Sequence, residues 1–164
     1  MKKLKKVLDY LKEKDLILTT AESCTAGQII HLLANYAGSG ECLDAGYVVY
    51  SESAKKRLLG VKQKTIDTFT LTSEEVAREM VEGALHNSEA NVVIATTGIA
   101  GPDSINGIPP GTICFGWGFD LGKKLVIYSE TKRFKGTKTQ ILNLAAKYAL
   151  VKIPFYHTQL REED

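Results

Sequence analysis

The chain has 164 residues, of which 44% are hydrophobic and 24% charged, and its formal net charge is +2. This length is enough for one domain with a sizeable core, and the small net charge gives no electrostatic reason to expect nucleic acid or a membrane surface as a partner. No apolar run approaches the length of a membrane-spanning helix.

Cysteine usage indicates the compartment. Cys24, Cys42 and Cys114 are odd in number, far apart and without CxxC spacing. This pattern argues against a disulfide framework or a zinc site and predicts a reducing, cytoplasmic location. The histidines are equally scattered, and a structural role is favoured for His31, which lies one position off the apolar run of its predicted helix. The sequence therefore predicts no metal site.

Helix and strand signals alternate along the first half of the chain. The hydrophobic pattern predicts a helix, a strand, a helix, a strand and a short helix over residues 3–14, 16–20, 23–35, 42–50 and 51–59. Ser51 is a candidate N-cap of the short helix, and Gly60 is a suitable residue to end it.

The second half begins after a polar connector. Thr72 and Glu75 have capping-box spacing and predict a helix to about Asn87. A buried strand, two strands of a hairpin and a last helix are then predicted over 91–97, 111–119, 124–134 and 137–152. Thr137 and Gln140 form the capping box of the last helix, and Pro154 is expected to end it.

The order of these elements predicts the fold class. Alternating helices and strands favour parallel pairing, whereas the hairpin adds an antiparallel pair. We therefore expect a layered α/β fold with a mixed β-sheet flanked by helices. No linker, repeat or low-complexity segment interrupts the chain, which predicts a single domain over residues 1–164.

The turn after the first strand carries a candidate nucleophile. Ser23 lies where strand 16–20 gives way to the predicted helix, and a helix start offers free N–H groups to an oxyanion. The alternative is that Ser23 only caps the helix. Cys24 is a second candidate nucleophile, because a thiol at a helix start has a lowered pKa. His31 is too far along the helix to pair with it directly.

Two further loops follow strands and are candidates for the same edge of the sheet. Lys55 lies near the start of the short helix, where the helix dipole and partial burial would lower its pKa and provide a neutral amine as a base. The alternative is a solvated surface lysine. The glycine-rich loop at 98–111 allows close backbone approach to a ribose or phosphate, and a tight structural turn explains it equally well.

Several motifs together resemble a known family. They are AESCTAG, GYVVYSESAK, LLGV, TGIAGP and PPGT, at residues 21–27, 46–55, 58–61, 97–102 and 109–112. Their sequence and order resemble the C-terminal domain family of the competence- and damage-inducible protein CinA, in its stand-alone form. The resemblance covers nearly the whole chain.

This resemblance implies an amidohydrolase that converts nicotinamide mononucleotide to nicotinic acid mononucleotide and ammonia. The family's catalytic serine, tyrosine and lysine correspond to Ser23, Tyr50 and Lys55. The resemblance implies attack by Ser23 with Lys55 as the base, either directly or through the Tyr50 hydroxyl. The resemblance also implies a small-molecule nucleotide substrate, no metal or organic cofactor, and a homo-oligomer (a dimer or higher). The implied substrate contacts are Glu22, Cys24, Thr25, Thr97, Gly98, Gly101 and Lys138.

One segment departs from the family pattern. After the position of Phe134 the family usually shows Gly-Asp-Arg and a second arginine, whereas this chain has Gly136-Thr137-Lys138. Lys138 keeps one positive charge without the bidentate geometry of arginine. The alternative function is therefore a nucleotide-binding or interaction module of the same fold that is weakly active or inactive. A nucleic-acid-associated role has little support from a net charge of +2.

Overall fold

Five strands and six α-helices follow one another along residues 2–161, the part of the chain that the computed structural model describes. In chain order they are α1 (Lys2–Glu13), β1 (Leu18–Glu22), α2 (Gln28–Ala34), β2 (Leu43–Val48), α3 (Glu52–Leu59), α4 (Gln63–Phe69), α5 (Glu74–His86), β3 (Val92–Ile99), β4 (Thr112–Asp120), β5 (Leu125–Arg133) and α6 (Lys138–Gln159). One turn of 3-10 helix, Ser39–Glu41, precedes β2. The predicted α/β class is confirmed.

The strands form one mixed sheet in the order β2-β1-β3-β4-β5. Strand β1 pairs in parallel with β2 on one side and with β3 on the other, whereas β3, β4 and β5 pair antiparallel. The carboxyl ends of β1, β2 and β3 therefore lie at the same edge of the sheet. This is the edge at which ligands bind in open α/β sheets.

The two faces of the sheet bury separate apolar clusters. Helices α1, α2 and α6 cover one face, where Trp117 and Phe115 stack at a centroid distance of 5.4 Å. The indole N–H of Trp117 donates to the carbonyl of Ala149 in α6 at 2.8 Å, so its burial leaves no polar atom unpaired. Helices α3, α4 and α5 cover the other face, with Val76 and Met80 fully buried.

Close packing of α5 depends on glycine at two places. A Cβ at Gly118 in β4 would lie 2.2 Å from the Val81 side chain, and a Cβ at Gly83 would lie 2.0 Å from the carbonyl oxygen of Leu59. Both distances are far below ordinary contact. These glycines let α5 lie against the sheet and against the end of α3, which carries one wall of the cavity described below.

Several helix boundaries match the sequence patterns. Ser51 caps α3 by accepting a hydrogen bond from Ala54 N–H, and Gly60 ends this helix at a φ of 70°. The predicted capping box of Thr137 and Gln140 is present at the start of α6. At α5, however, Ser73 is the cap and accepts from Val76 N–H, so the predicted pairing of Thr72 with Glu75 is wrong.

Other predicted helix boundaries are wrong, each for a physical reason. Pro154 does not end α6, which continues to Gln159 because Ile153 and Tyr156 on the same helix are buried in the core. Helix α4 occupies the predicted polar connector, where a single buried residue, Ile66, anchors it. The predicted helix over 23–35 begins only at Gln28, and this difference changes the interpretation of the site.

Within the described residues, no helix is long and apolar enough to cross a membrane.

Candidate active site

A cavity of about 620 Å³ opens at the carboxyl ends of the three parallel strands. Its lining comes from the ends of β1 and β3, the start of α3, the connector before α5, the loop after β3 and the start of α6. The three loops that follow strands in the sequence therefore surround one space. Members of the lining used below are Ser23, Cys24, Tyr50, Glu52, Lys55 and Lys138.

Ser23 lies at the bottom of this cavity in a turn between β1 and α2. Its N–H donates to the carbonyl of Thr96 in β3 at 3.0 Å, which fixes the turn to the sheet. The chain reverses through Ala26 and Gly27, both with positive φ, before α2 begins at Gln28. Ser23 is therefore not the N-cap of α2, and the prediction of a helix start at this residue is wrong.

Glu22 explains why the helix starts late. Its carboxylate is fully buried and accepts hydrogen bonds from the N–H groups of Ile29 and Ile30 at 2.9 and 3.2 Å. It also accepts from the hydroxyls of Thr20 and Thr25 at 2.9 and 2.7 Å. A residue six positions before α2 thus satisfies the free N–H groups at the helix start.

Two predicted substrate contacts belong to this network rather than to the lining of the cavity. Glu22 is fully buried and Thr25 is 2% exposed, and neither lines the cavity. The Thr25 hydroxyl also lies 2.9 Å from that of Thr96 in β3. The polar atoms of both side chains form hydrogen bonds that hold the Ser23 turn in place. A buried carboxylate requires several such donors to offset its lost hydration. Sequence reasoning missed Thr20 and Thr96, which carry no motif signal of their own.

Lys55 reaches Ser23 from the fourth position of α3. Its side chain is 2% exposed, and its Nζ lies 2.8 Å from Ser23 Oγ. The same Nζ donates to the carbonyl oxygens of Val49 and Tyr50 at 3.0 and 3.1 Å. The alternative of a solvated surface lysine is therefore excluded by this geometry.

Burial lowers the pKa of this amine. Removal from water lowers the pKa of Lys55 from its usual 10.5, while the nearby Cys24 thiol and the Glu52 carboxylate oppose that shift. A neutral amine has two hydrogens and one lone pair. The ammonium form can donate to Ser23 Oγ and to both carbonyls, whereas in the neutral form the two carbonyls can accept both hydrogens and leave the lone pair directed at the Ser23 hydroxyl, which is the arrangement that a general base needs.

Cys24 is less suited to attack than the sequence suggests. Burial raises the pKa of its thiol to about 12, and the nearby Lys55 charge offsets this only in part. The expected lowering of its pKa required a helix start at this residue, and α2 begins four positions later. The thiol stays protonated at neutral pH, so Ser23 is the better placed nucleophile.

Tyr50 lies at the mouth of the cavity rather than beside the serine. Its side chain is 63% exposed, and within residues 2–161 its hydroxyl makes no hydrogen bond. What Tyr50 contributes to Lys55 is its main-chain carbonyl oxygen. Of the two predicted proton routes from Ser23, the direct route to Lys55 has the required distance in this structure.

The end of β3 forms the opposite wall. Thr97 donates through its hydroxyl to the carbonyl of Leu71 at 2.9 Å, which ties the connector before α5 to the sheet. A Cβ at Gly98 would lie 2.6 Å from the carbonyl oxygen of Thr112, so glycine is required by the pairing with β4. Gly101 has a φ of 103° and begins the exposed part of the loop. The 70–72 connector is a wall that sequence reasoning missed.

Charged groups stand around the opening. Lys138, the first residue of α6, is exposed and lines the cavity, and Glu52 and Asp103 line it as well. No group of three or more His, Cys, Asp or Glu side chains suited to a metal ion occurs within the part of the chain that the structure describes.

Comparison with known proteins identifies the family. The model of the CinA C-terminal domain matches residues 1–154. The chain belongs to the CinA C-terminal domain family. A crystal structure of the competence damage-inducible protein A (ComA) from Klebsiella pneumoniae has the same fold, with a TM-score of 0.88, 31% identity and coverage of 93% of this chain and 92% of that one.

Relatives by sequence fall into two size classes. A nicotinamide-nucleotide amidohydrolase, PncC, from Enterobacter agglomerans is 38% identical over 93% of this chain and 88% of its own length. Protein YdeJ of Escherichia coli is 36% identical over 83% of this chain and 77% of its own. A competence-damage inducible protein from Caldicellulosiruptor saccharolyticus is 38% identical over 88% of this chain, but the match spans only 34% of that longer protein.

Proposed function

We propose that this protein is an amidohydrolase that converts nicotinamide mononucleotide to nicotinic acid mononucleotide and ammonia. The observation that carries the proposal is the contact of 2.8 Å between Lys55 Nζ and Ser23 Oγ at the bottom of a cavity. The 38% identity to an amidohydrolase of nicotinamide nucleotides supports the substrate class. Homo-oligomer formation stays a prediction from the sequence.

The first half of the reaction would form an ester. Neutral Lys55 accepts the Ser23 hydroxyl proton while Oγ attacks the carboxamide carbon of the substrate. The lysine ammonium then gives that proton to the amide nitrogen, the C–N bond breaks, and ammonia leaves. Ser23 now carries the acyl group, and Lys55 is neutral again.

The second half would return the enzyme to its initial state. A water molecule attacks the ester carbon while Lys55 accepts one of its protons. The ester C–O bond breaks, Lys55 returns the proton to Ser23 Oγ, and the carboxylic acid product leaves. The main-chain carbonyls of Val49 and Tyr50 accept from Nζ at 3.0 and 3.1 Å, so they can hold the amine in place in both protonation states.

Ammonia release from nicotinamide mononucleotide tests the proposal. The protein should release ammonia and nicotinic acid mononucleotide in equal amounts. Ser23→Ala should lower kcat by about 10⁴-fold or more, because the remaining groups cannot form the ester. Ser104→Ala, which changes an exposed serine of the loop after β3, is the matched control and should leave kcat unchanged. Binding of the nucleotide without any ammonia release would instead support a non-hydrolytic module.

A further inference from the structure

The cavity holds few groups that favour a phosphate. Within residues 2–161, its charged side chains are the carboxylates of Glu52 and Asp103 and the amines of Lys55 and Lys138, and no arginine lines it. When Lys55 is neutral and acts as the base, one cation faces two carboxylates. Lys138 is exposed, and solvent weakens the attraction between an exposed amine and an anion.

The two acids differ in how freely they face the cavity. Glu52 lies 3.9 Å from Lys56 on the same helix, so a cation outside the cavity offsets part of its charge. Asp103 has no ion pair within residues 2–161 and stands on the exposed loop after β3. Asp103 is therefore the carboxylate that offsets Lys138 at the opening, and solvent weakens the effect of both exposed charges.

The helix start beside the cavity is also partly closed. At α6, Thr137 accepts from Gln140 N–H at 3.2 Å, and Gln140 Oε1 accepts from Thr137 N–H at 2.8 Å. A helix start can hold a phosphate only through N–H groups that have no other partner. Because Gln140 folds over this terminus and two donors are already used, α6 offers a weakened anion site.

The substrate itself carries charges of both signs. The ring of an N-ribosylated nicotinamide is a pyridinium cation, and a phosphate monoester carries a charge of about −1.5 to −2 at neutral pH. An opening with an excess of carboxylates attracts the ring and repels the phosphate. The balance of charges thus favours substrates that have the ring cation without the phosphate.

Resting on the proposed amidase function, we infer that the substrate class of this site is N-ribosylated pyridinium carboxamides with or without a 5′-phosphate, and that the phosphate contributes little. Nicotinamide riboside is then hydrolysed with a kcat/KM within about tenfold of that for nicotinamide mononucleotide. Recognition comes from the cationic ring and the ribose, while the phosphate extends toward solvent past Asp103 and Lys138.

The decisive measurement is kcat/KM for ammonia release from the two compounds with the full chain. A nucleotide-to-nucleoside ratio below about ten supports the inference, and a ratio of ten or more overturns it while leaving the amidase function intact. If neither compound releases ammonia, the amidase function is contradicted, and the inference falls with it.

Charge variants sharpen the measurement. Asp103→Asn should raise the nucleotide-to-nucleoside ratio about two- to fivefold, the range expected for one exposed charge. Asp9→Asn, which alters an exposed acid on α1 away from the cavity, is the matched control and should not change it. Lys138→Gln should lower the ratio by less than about fivefold. A tenfold or larger fall in this ratio with Lys138→Gln, or an unchanged ratio with Asp103→Asn, would contradict the roles given to these two charges.

Discussion

The floor and the rim of the cavity differ in the burial and hydrogen bonding of their side chains. The floor consists of Ser23, Lys55 and Thr97, with Glu22 buried behind it, and these residues are at most 7% exposed and bonded to each other or to the main chain. The rim consists of Tyr50, Asp103, Ile105 and Lys138, whose side chains are exposed. Strand ends and burial fix the positions of the reactive groups in the floor. Few contacts restrain the exposed side chains of the rim, which would contact the substrate.

This difference has consequences for how the protein can change. A substitution in the floor leaves a buried polar group without its partner, which costs stability and geometry together. A substitution in the rim alters an exposed side chain and usually costs little stability. Substrate preference can therefore shift while the reactive pair stays the same.

Loss of the floor amine should have the largest effect. Lys55→Met fills the same space without a base, so kcat should fall about 10³- to 10⁴-fold. Melting temperature and circular dichroism should show a folded protein, because the variant no longer buries an amine that would charge. Lys56→Met, which changes the neighbouring residue on the outer side of α3, is the control. Retention of more than a tenth of the activity by Lys55→Met would remove Lys55 from the mechanism.

The carboxylate behind the serine comes next. Glu22→Gln can no longer accept all four hydrogen bonds, so it should lower the free energy of unfolding by about 3 kcal/mol and kcat about tenfold to a hundredfold. Denaturant unfolding and steady-state kinetics measure the two effects. Glu82→Gln, an exposed change on α5, should do neither. A kcat loss in Glu22→Gln with KM unchanged would indicate a displaced Ser23 turn rather than lost substrate binding.

The pH dependence of the floor should reveal the lowered pKa of Lys55. The base must be neutral, so kcat/KM should rise about tenfold per pH unit below this pKa and level off at a pH below 10.5. The folded state disfavours the ammonium, so wild-type stability relative to Lys55→Met should rise with pH between the lowered pKa of Lys55 and 10.5, where only the unfolded state is protonated. A rate profile that levels off only at 10.5 or above would contradict the effect of burial.

Removal of a rim hydroxyl should have the smallest effect. Tyr50→Phe should lower kcat less than about threefold, because the side chain is 63% exposed and Lys55 is held by the Tyr50 carbonyl instead. Tyr50→Ala tests the ring separately and should raise KM more than it lowers kcat. A hundredfold fall in kcat for Tyr50→Phe would show that the hydroxyl moves into the proton route when substrate is bound.

Most of the fold follows from local patterns in the sequence. Hydrophobic periodicity gave the alternation of helices and strands, and the cap residues Ser51 and Thr137 predicted two helix starts correctly. Such signals act within a few residues, so they can be recognised without knowledge of the tertiary structure. The same local reasoning made Ser23 and Lys55 candidates and placed their loops at one edge of the sheet.

The remaining features depend on residues that are distant from each other in the chain. The start of α2 is set by the carboxylate of Glu22 and not by Ser23, and the high pKa of Cys24 follows from burial that no local pattern reveals. α6 continues through Pro154 because its later residues are buried against the core. A hydrogen bond between Ser23 and Lys55 requires 32 residues of chain to return to the same point, and only the packed sheet brings this about.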